Sequence, residues 1–314
     1  MIRTARLRAL AKVNLDLRVL ERRRDGFHEL RTIFHTISLA DRLEVAFEPR
    51  RRTRIALEGS DIPDNLVTRA ARAAMDGMRI TGEVRFRLEK RIPMGAGLGG
   101  GSSDAAAVML ALPVLADKHW ELPSMMRAAA ELGSDVPFFL FGGAAAAIGR
   151  GTELFPLPDG PSLPGVLLAP GIHVSTPAAY RALSPRLTSN GQENKIVSFQ
   201  TTLWAEVWQG GRNDFEEVVF EAHPELARLK QRLERAGAAH AMMSGSGSSL
   251  FGLFRTRAEA SRALQSVGDE RSYPITLVSR AQYRRLWRRQ LAPYTETRVW
   301  PPRSRHASPT RPKP

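Results

Sequence analysis

Residues 91–107 read RIPMGAGLGGGSSDAAA, with five glycines in the seven residues 95–101 ahead of a run of strong helix formers. Glycine lets a backbone approach an anion closely, and the free N–H groups at a helix start then point at it, so the stretch is built to cradle a phosphate. A flexible turn between strand and helix is the plainer reading of the same residues. Gly95, Gly97 and Gly100 satisfy the dinucleotide-binding GxGxxG spacing, but the context does not. The preceding segment alternates and ends in Pro93, and Asp117 and Glu121 lie where no second parallel strand has formed. Neither GxxxxGKS nor GxxxxGKT occurs, so there is no P-loop. Asp135, in the run GSDVP, precedes an apolar stretch and belongs at the mouth of a buried strand or helix, as a capping residue or as an acid with work to do. Lys12 lies in a short apolar segment expected to be a strand, from which a lysine either snorkels to solvent or reaches into a site.

The elements that must hold these residues are legible from periodicity. Residues 83–90 alternate Val84, Phe86 and Leu88 with charges, the period of a strand buried on one face. Residues 64–79 place Leu66, Val67, Ala70, Ala74 and Met78 at helical spacing. Residues 102–112 form a helix with Ser and Asp at its start, and residues 225–236 an amphipathic helix that stops at Gly237. Strands and helices do not alternate regularly, which predicts an α+β fold rather than a doubly wound parallel sheet. Four prolines and two glycines in FPLPDGPSLPG, residues 155–165, mark the division. It predicts domains over 1–158 and 159–291, followed by a Pro- and Arg-rich tail over 292–314 expected to be disordered.

Composition removes whole classes of chemistry. The 314 residues contain no cysteine, which excludes disulfides, thiol nucleophiles, thiolate zinc sites and iron–sulfur clusters and suits a reducing cytoplasm. The seven histidines form no HxxxH or HExxH pair, so a transition-metal site has no sequence support. The first twenty residues lack an apolar core, and the uncharged run 136–148 is too short to span a bilayer, so neither a secretory signal nor a membrane anchor is expected. The net charge of +14 invites nucleic acid or a phosphorylated ligand as partner. Residues 280–314, however, hold ten basic residues against Glu296 alone, a net +9 that leaves +5 for the rest of the chain. That remainder is ordinary for an enzyme of phosphorylated small molecules and does not call for nucleic acid.

The pattern P-x-x-x-G-L-G-G-G-S-S over 93–103 resembles the ATP loop of the GHMP kinases, the family of galactokinase and of homoserine, mevalonate and phosphomevalonate kinases. MSGSGSS at 243–249 resembles its C-terminal glycine-rich motif and AKVNL at 11–15 its N-terminal motif, in the family's order. AKVNLDL (11–17), RDGFHELRTIFHTISLADRL (24–43), DNLVTRAA (64–71), LGSDVPFFLFGGAA (132–145) and SGSGSSLFG (244–252) are similar to the branch whose acceptor is a cytidylyl alcohol, and the resemblance runs from about residue 5 to about residue 290.

The resemblance implies a two-domain fold with the active site in the cleft between the domains, and transfer of a phosphoryl group from ATP, accompanied by Mg²⁺, to that alcohol. It makes Asp135 the general base, with Lys12 beside it to stabilise the carboxylate and the developing alkoxide. It puts ATP against Pro93, Met94, Gly95, Ala96, Gly97, Leu98, Gly99, Gly100, Gly101, Ser102 and Ser103, with Asn65 on the adenine-side wall. For Asn65 and the two serines, helix capping is the plain alternative. Asp104 would be repelled by a triphosphate and is expected to face away. Asn14, Phe27, His28, Thr176 and Tyr180 would line the cytidine diphosphate pocket. Phe27 stands where the family usually has tyrosine; it would stack on the cytosine, and Tyr180 would cover the other face unless it is a boundary core residue. Glu153, displaced by one from the family spacing, receives no role. Metal ligands stay unassigned, and monomer and homodimer are both open. The rivals are a homoserine- or mevalonate-type GHMP kinase and a basic nucleic-acid binder.

Overall fold

In the computed structural model the described residues are 1–23, 25–59, 65–186, 211–268, 270–295 and 299–306. The chain opens with two long strands, β1 (Arg3–Arg22) and β2 (His28–Pro49), paired antiparallel from Arg3 opposite Phe47 to Arg22 opposite His28. Their turn uses Gly26 at φ 84° and the Asp25 carboxylate, which accepts the Phe27 N–H at 3.1 Å. Along β1, buried Ala5, Leu7 and Ala9 alternate with exposed Arg6 and Arg8, and then Leu10 to Leu17 are buried without interruption. That change means both faces of the strand are covered there. The register slips between Leu10 and Lys12 and again between Asn14 and Asp16. Between the slips Lys12 and Asn14 share one face, and Ala11, Val13 and Leu15 share the other.

The far edge of β2 is divided between two partners. β4 (Gly82–Glu89) pairs with its C-terminal half and β5 (Ala144–Gly149) with its N-terminal half. β3 (Arg54–Glu58) extends the sheet beside β4, and β6 (Glu153–Pro156) extends it beside β5. The helices α1 (Leu66–Met78), α2 (Gly100–Ala116), α3 (Leu122–Leu132) and the short α4 (Val136–Phe139) contribute to this first core. In α2 every residue from Ser103 to Leu115 is buried, so it is the central helix of that core.

A second, four-stranded antiparallel sheet comprises β7 (Pro164–Leu168), β8 (His240–Met243), β9 (Leu250–Leu253) and β10 (Ser272–Thr276), in the order β10-β7-β9-β8. With it pack α5 (Thr176–Leu183), α6 (Phe215–Ala222), α7 (Pro224–Arg235) and α8 (Arg257–Ser266). Leu167, Phe251, Leu253 and Ile275 of this sheet meet Ala11, Val13, Leu15, Ile33 and Ile37 of the first in one shared cluster. The middle of β1 is therefore sandwiched, which accounts for its unbroken burial.

The expected strand at 83–90 and helices at 64–79, 102–112 and 225–236 are β4, α1, α2 and α7, with α2 longer at both ends and Gly237 at φ 90°. The first core holds a surprise from the other end of the chain. α9 (Arg280–Gln290), on the far side of the expected boundary, sends Tyr283 and Trp287 into it. The tail expected to be disordered follows. Pro301, Pro302 and Ser304 are buried, Trp300 packs against the first core and donates to the Leu140 carbonyl at 2.8 Å, and Tyr294 Oη accepts from the Thr4 N–H at 3.1 Å. Composition pointed to disorder because two aromatics carry this packing among prolines and arginines; residues 296–298 and 307–314 lie outside the described part. Among the described residues no helix is long and apolar enough to cross a membrane.

Candidate active site

Lys12 does not snorkel. Its side chain is 5% exposed, and its ammonium lies 3.7 Å from Asp135 Oδ2. It donates to Asn14 Oδ1 at 2.7 Å and sits 5.1 Å above the Phe34 ring. Asn14 Nδ2 donates to Thr32 Oγ1 at 2.7 Å, and Thr32 donates to the Asp16 carbonyl at 2.6 Å. This relay fixes the lysine from behind. Burial pulls the Lys12 pKa below 10.5, and the negative charge of Asp135 acts against it. Asp135 stands at the N-cap of α4 but makes no side-chain capping bond, so its carboxylate is not tied up in the turn. The structure brings together Lys12 and Asp135, the pair that the resemblance implies, where the residues alone favoured a snorkelling lysine.

The glycine loop is held against both partners. Lys12 donates its backbone N–H to the Leu98 carbonyl at 3.0 Å. Gly95, Gly97 and Gly99 all adopt positive φ, at 66°, 76° and 67°. A Cβ on Gly97 would lie 2.1 Å from the Ser244 carbonyl oxygen, and one on Gly99 would lie 2.9 Å from the Phe139 ring. Ser244 Oγ donates to the Gly97 carbonyl at 3.0 Å and the Ser249 N–H donates to the Ala96 carbonyl at 3.4 Å, so the two glycine-rich motifs are in direct contact. Asn213 supports the second motif, donating to the Met243 and Gly245 carbonyls at 2.9 and 2.7 Å.

One side of the loop faces a cleft of about 430 Å³. Asn65, Pro93, Met94, Gly95, Ala96, Gly97, Leu98, Gly99, Gly100, Gly101 and Ser102 all line it. Ser103 does not. It is buried, and its hydroxyl donates to the Leu10 carbonyl at 2.7 Å, anchoring α2 to β1 instead of facing a phosphate. Asn65 lines the wall and also caps α1, its Oδ1 accepting from the Val67 N–H at 2.9 Å. Asp104, expected to face away, lines this cleft together with Lys90, and its carboxylate accepts from Lys90 at 2.8 Å. Lys90 also pairs with Asp41, which accepts from the Arg91 and Ile92 N–H groups at 2.6 and 2.8 Å. Burial raises the Asp104 pKa to about 7, with Lys90 opposing and Asp41 reinforcing the shift.

The other side faces a cleft of about 1080 Å³ lined by Lys12, Asn14, Phe27, His28, Asp135, Thr176 and Tyr180. Gly97 and Gly99 line both clefts, which are thus separated by the thickness of one loop. Phe27 is half exposed beneath the Arg150 guanidinium, whose carbon lies 3.6 Å from the ring centre. Tyr180 is stacked on His28 with centroids 4.7 Å apart and meets Phe215 edge-on. Its stacking partner in the structure is therefore His28. His28 also bonds Ser184 Oγ at 2.8 Å, and burial followed by the charge of Arg22 lowers its pKa. Thr176 Oγ1 lies 2.7 Å from Ser246 Oγ, joining α5 to the second glycine-rich motif.

Arg22, Arg150 and Arg181 add three cations to the larger cleft, a complement suited to a diphosphate. The sequence reading missed them, as it missed Thr32, Lys90 and Asn213. Arg150 had a signal: Gly149 and Gly151, both at positive φ, flank it in a tight turn between β5 and β6. Asn213 carried none, because its partners lie some thirty residues away in sequence.

Comparison with known proteins matches residues 65–143 to the family described as GHMP kinases N terminal domain and residues 205–272 to GHMP kinases C terminal. The chain is 61% identical to the 4-diphosphocytidyl-2-C-methyl-D-erythritol kinase of Solibacter usitatus, over 97% of this chain and 98% of that protein. It is 42% identical to the protein of the same name from Thermus thermophilus, over 82% of this chain and 91% of that one. A crystal structure of 4-(cytidine 5'-diphospho)-2C-methyl-D-erythritol kinase superposes with a TM-score of 0.75 at 40% identity, covering 87% of this chain and 98% of that one. A homoserine kinase from Cytophaga hutchinsonii shares the fold, with a TM-score of 0.64 at 18% identity over 88% and 95% of the two chains.

Proposed function

The chain belongs to the GHMP kinases and, within them, to the 4-diphosphocytidyl-2-C-methyl-D-erythritol kinases, and from that premise we propose that Asp135 takes the acceptor proton while Lys12 steadies the charge that develops beside it. The enzyme transfers the γ-phosphoryl group of ATP to the 2-hydroxyl of 4-diphosphocytidyl-2-C-methyl-D-erythritol, giving the 2-phosphate and ADP in the non-mevalonate isoprenoid pathway.

ATP occupies the smaller cleft, its phosphates against the N–H groups of residues 97–102 at the start of α2. A Mg²⁺ accompanying ATP would need one or two protein oxygens besides those of the phosphates. Ser102 on the cleft wall offers one, whereas Ser103 is engaged with Leu10. Bound there, Mg²⁺ would supply neutralisation of the charge on the transferring phosphates. The cytidylyl alcohol occupies the larger cleft, with the base on Phe27, His28 beside it on Tyr180, and the diphosphate near Arg22, Arg150 and Arg181. Asn14 and Thr176 complete the pocket. As the 2-hydroxyl oxygen bonds to the γ-phosphorus, its proton passes to the Asp135 carboxylate and the bond to the ADP oxygen breaks, with no phosphoenzyme. The first sheet and its helices carry the ATP loop and the catalytic pair, and the second supplies the SGSGSS wall. We place the reaction in the cytoplasm, carried out by a monomer or homodimer without nucleic acid or membrane.

The observation that carries this reading is the Lys12–Asp135 pair, lining the larger cleft beside Gly99 where one loop divides the two clefts. Asp135→Asn should fold normally and bind ATP while kcat falls by about 10³-fold; near-normal turnover would refute the assignment. Turnover of homoserine or mevalonate in place of the cytidylyl alcohol would favour the rival kinases.

A further inference from the structure

We infer that the C-terminal helix α9 and the segment around Trp300 position the catalytic carboxylate, with Tyr283 and Trp300 as positioning residues that act through the α4 turn. The inference rests on the reading of Asp135 as the general base. α4 is four residues long and begins immediately after Asp135. A single turn has little stability of its own, so where it sits is set by whatever grips it. At the Asp135 end, buried Val136 donates to the Gly133 carbonyl at 3.2 Å, and the carboxylate makes no capping bond but lies 3.7 Å from the Lys12 ammonium.

The far end is held by residues more than 140 positions away. Tyr283 Oη donates to the Phe139 carbonyl at 2.5 Å, and Trp300 Nε1 donates to the Leu140 carbonyl at 2.8 Å. These carbonyls close a helix end, where acceptors lack intrahelical partners. Burial pushes the Tyr283 phenol far above its ordinary pKa, so it remains a donor at any working pH. Trp300 meets the Tyr283 ring edge-on at 6.1 Å, with the Arg284 guanidinium 5.2 Å above it.

The residues that follow α4 are pressed onto α9 without clearance. A Cβ on Gly142 would lie 2.4 Å from the Tyr283 ring, and one on Gly143 would lie 2.6 Å from Arg280 Cβ. Arg280 then donates to the Ala144 carbonyl at 2.5 Å, fixing the start of β5. The turn bearing Asp135 thus has its first end held by core packing and the Lys12 pair, while the side-chain donors to its last two carbonyls come from 283 and 300, and Thr36 exchanges hydrogen bonds with Gly143 just beyond. A displacement of about 1 Å in a reacting group can cost about a hundredfold in rate, so this remote clasp reaches the chemistry.

Tyr283→Phe removes one donor and keeps the ring that packs, and Trp300→Phe removes the other and leaves a smaller aromatic ring in place of the indole. Each is expected to lower kcat about tenfold with KM for ATP and for the cytidylyl alcohol changed less than about twofold. Combined with Asp135→Asn, neither should lower kcat further, because the group they position is gone. Unchanged kcat in both single variants would overturn the inference, as would a tenfold loss that persists in the Asp135→Asn background. Near-normal turnover of Asp135→Asn alone would instead remove the premise, and so separates failure of the base assignment from failure of the clasp.

Discussion

Replacing Lys12 by methionine removes a charge and keeps most of the apolar stem, and its effect can be worked from one distance. At 3.7 Å from Asp135 Oδ2, a unit charge contributes about 1 kcal/mol at the dielectric of water and about 4.5 kcal/mol at the effective value of about 20 suited to protein sites. If a charge of that reach acts on the developing alkoxide in the transition state alone, the range corresponds to about sevenfold up to about two-thousandfold in rate. The Lys12 side chain is 5% exposed and that of Asp135 29%, so the pair lies between a solvated surface pair and a fully buried one. The expected loss in kcat for Lys12→Met is therefore about a hundredfold. Steady-state ADP release, with each substrate varied in turn, gives kcat and both KM values, and thermal unfolding checks that the variant is folded. A variant with kcat within about threefold of wild type but a greatly raised KM for ATP would refute the reasoning, since Lys12 would then be a ground-state phosphate contact.

Three further outcomes are expected. Gly97→Ala must force its methyl group towards the Ser244 carbonyl at a backbone φ of 76°, so the two glycine-rich motifs separate and KM for ATP rises at least tenfold; unchanged ATP kinetics would show that the contact is dispensable. Phe27→Ala should raise KM for the cytidylyl alcohol about tenfold or more through lost stacking, with KM for ATP unmoved, and equal effects on both substrates would count against a base platform. Burial holds the pKa of both His35 and His240 down to about 4, so the unfolded chain binds protons first as pH falls. Stability present above pH 6.5 is lost between 6.5 and 4, by about 3 kcal/mol for each. Asp104, raised to about 7, works in the opposite direction, so Asp104→Asn should steepen the acid loss; urea titrations at pH 7 and 4.5 measure it, and a flat profile in both proteins would contradict the burial of neutral histidines.

What could be read from sequence was what local spacing encodes. The glycine run had to be a loop before a helix, Lys12 had to lie in a strand, and Asp135 had to open a buried segment. None of this required knowing which elements pack together. Ser103 shows the limit. It differs from Ser102 by one position, and only the approach of β1 decides that its hydroxyl serves Leu10. The same holds for Tyr180, whose neighbour across the cleft is His28, from a turn about 150 residues earlier. α9 was hidden for another reason. RAQYRRLWRRQ looks solvated by composition, although Tyr283 and Trp287 stand four apart, the spacing of a buried helical pair.

The return of α9 to the first sheet also governs the order in which the enzyme can be made. Lys12, the glycine loop and Asp135 have all left the ribosome long before Tyr283, Trp287 and Trp300 are synthesised. Until those residues arrive, the core beneath the catalytic turn lacks its aromatic filling, and the ATP loop lacks the Ser244 wall, 147 residues downstream of Gly97. Contacts of such sequence separation form late, because the intervening chain must be ordered to close them. A nascent chain that already displays Lys12, the glycine loop and Asp135 therefore still lacks the contacts that hold them, which form only once residues 280–300 dock against the first core.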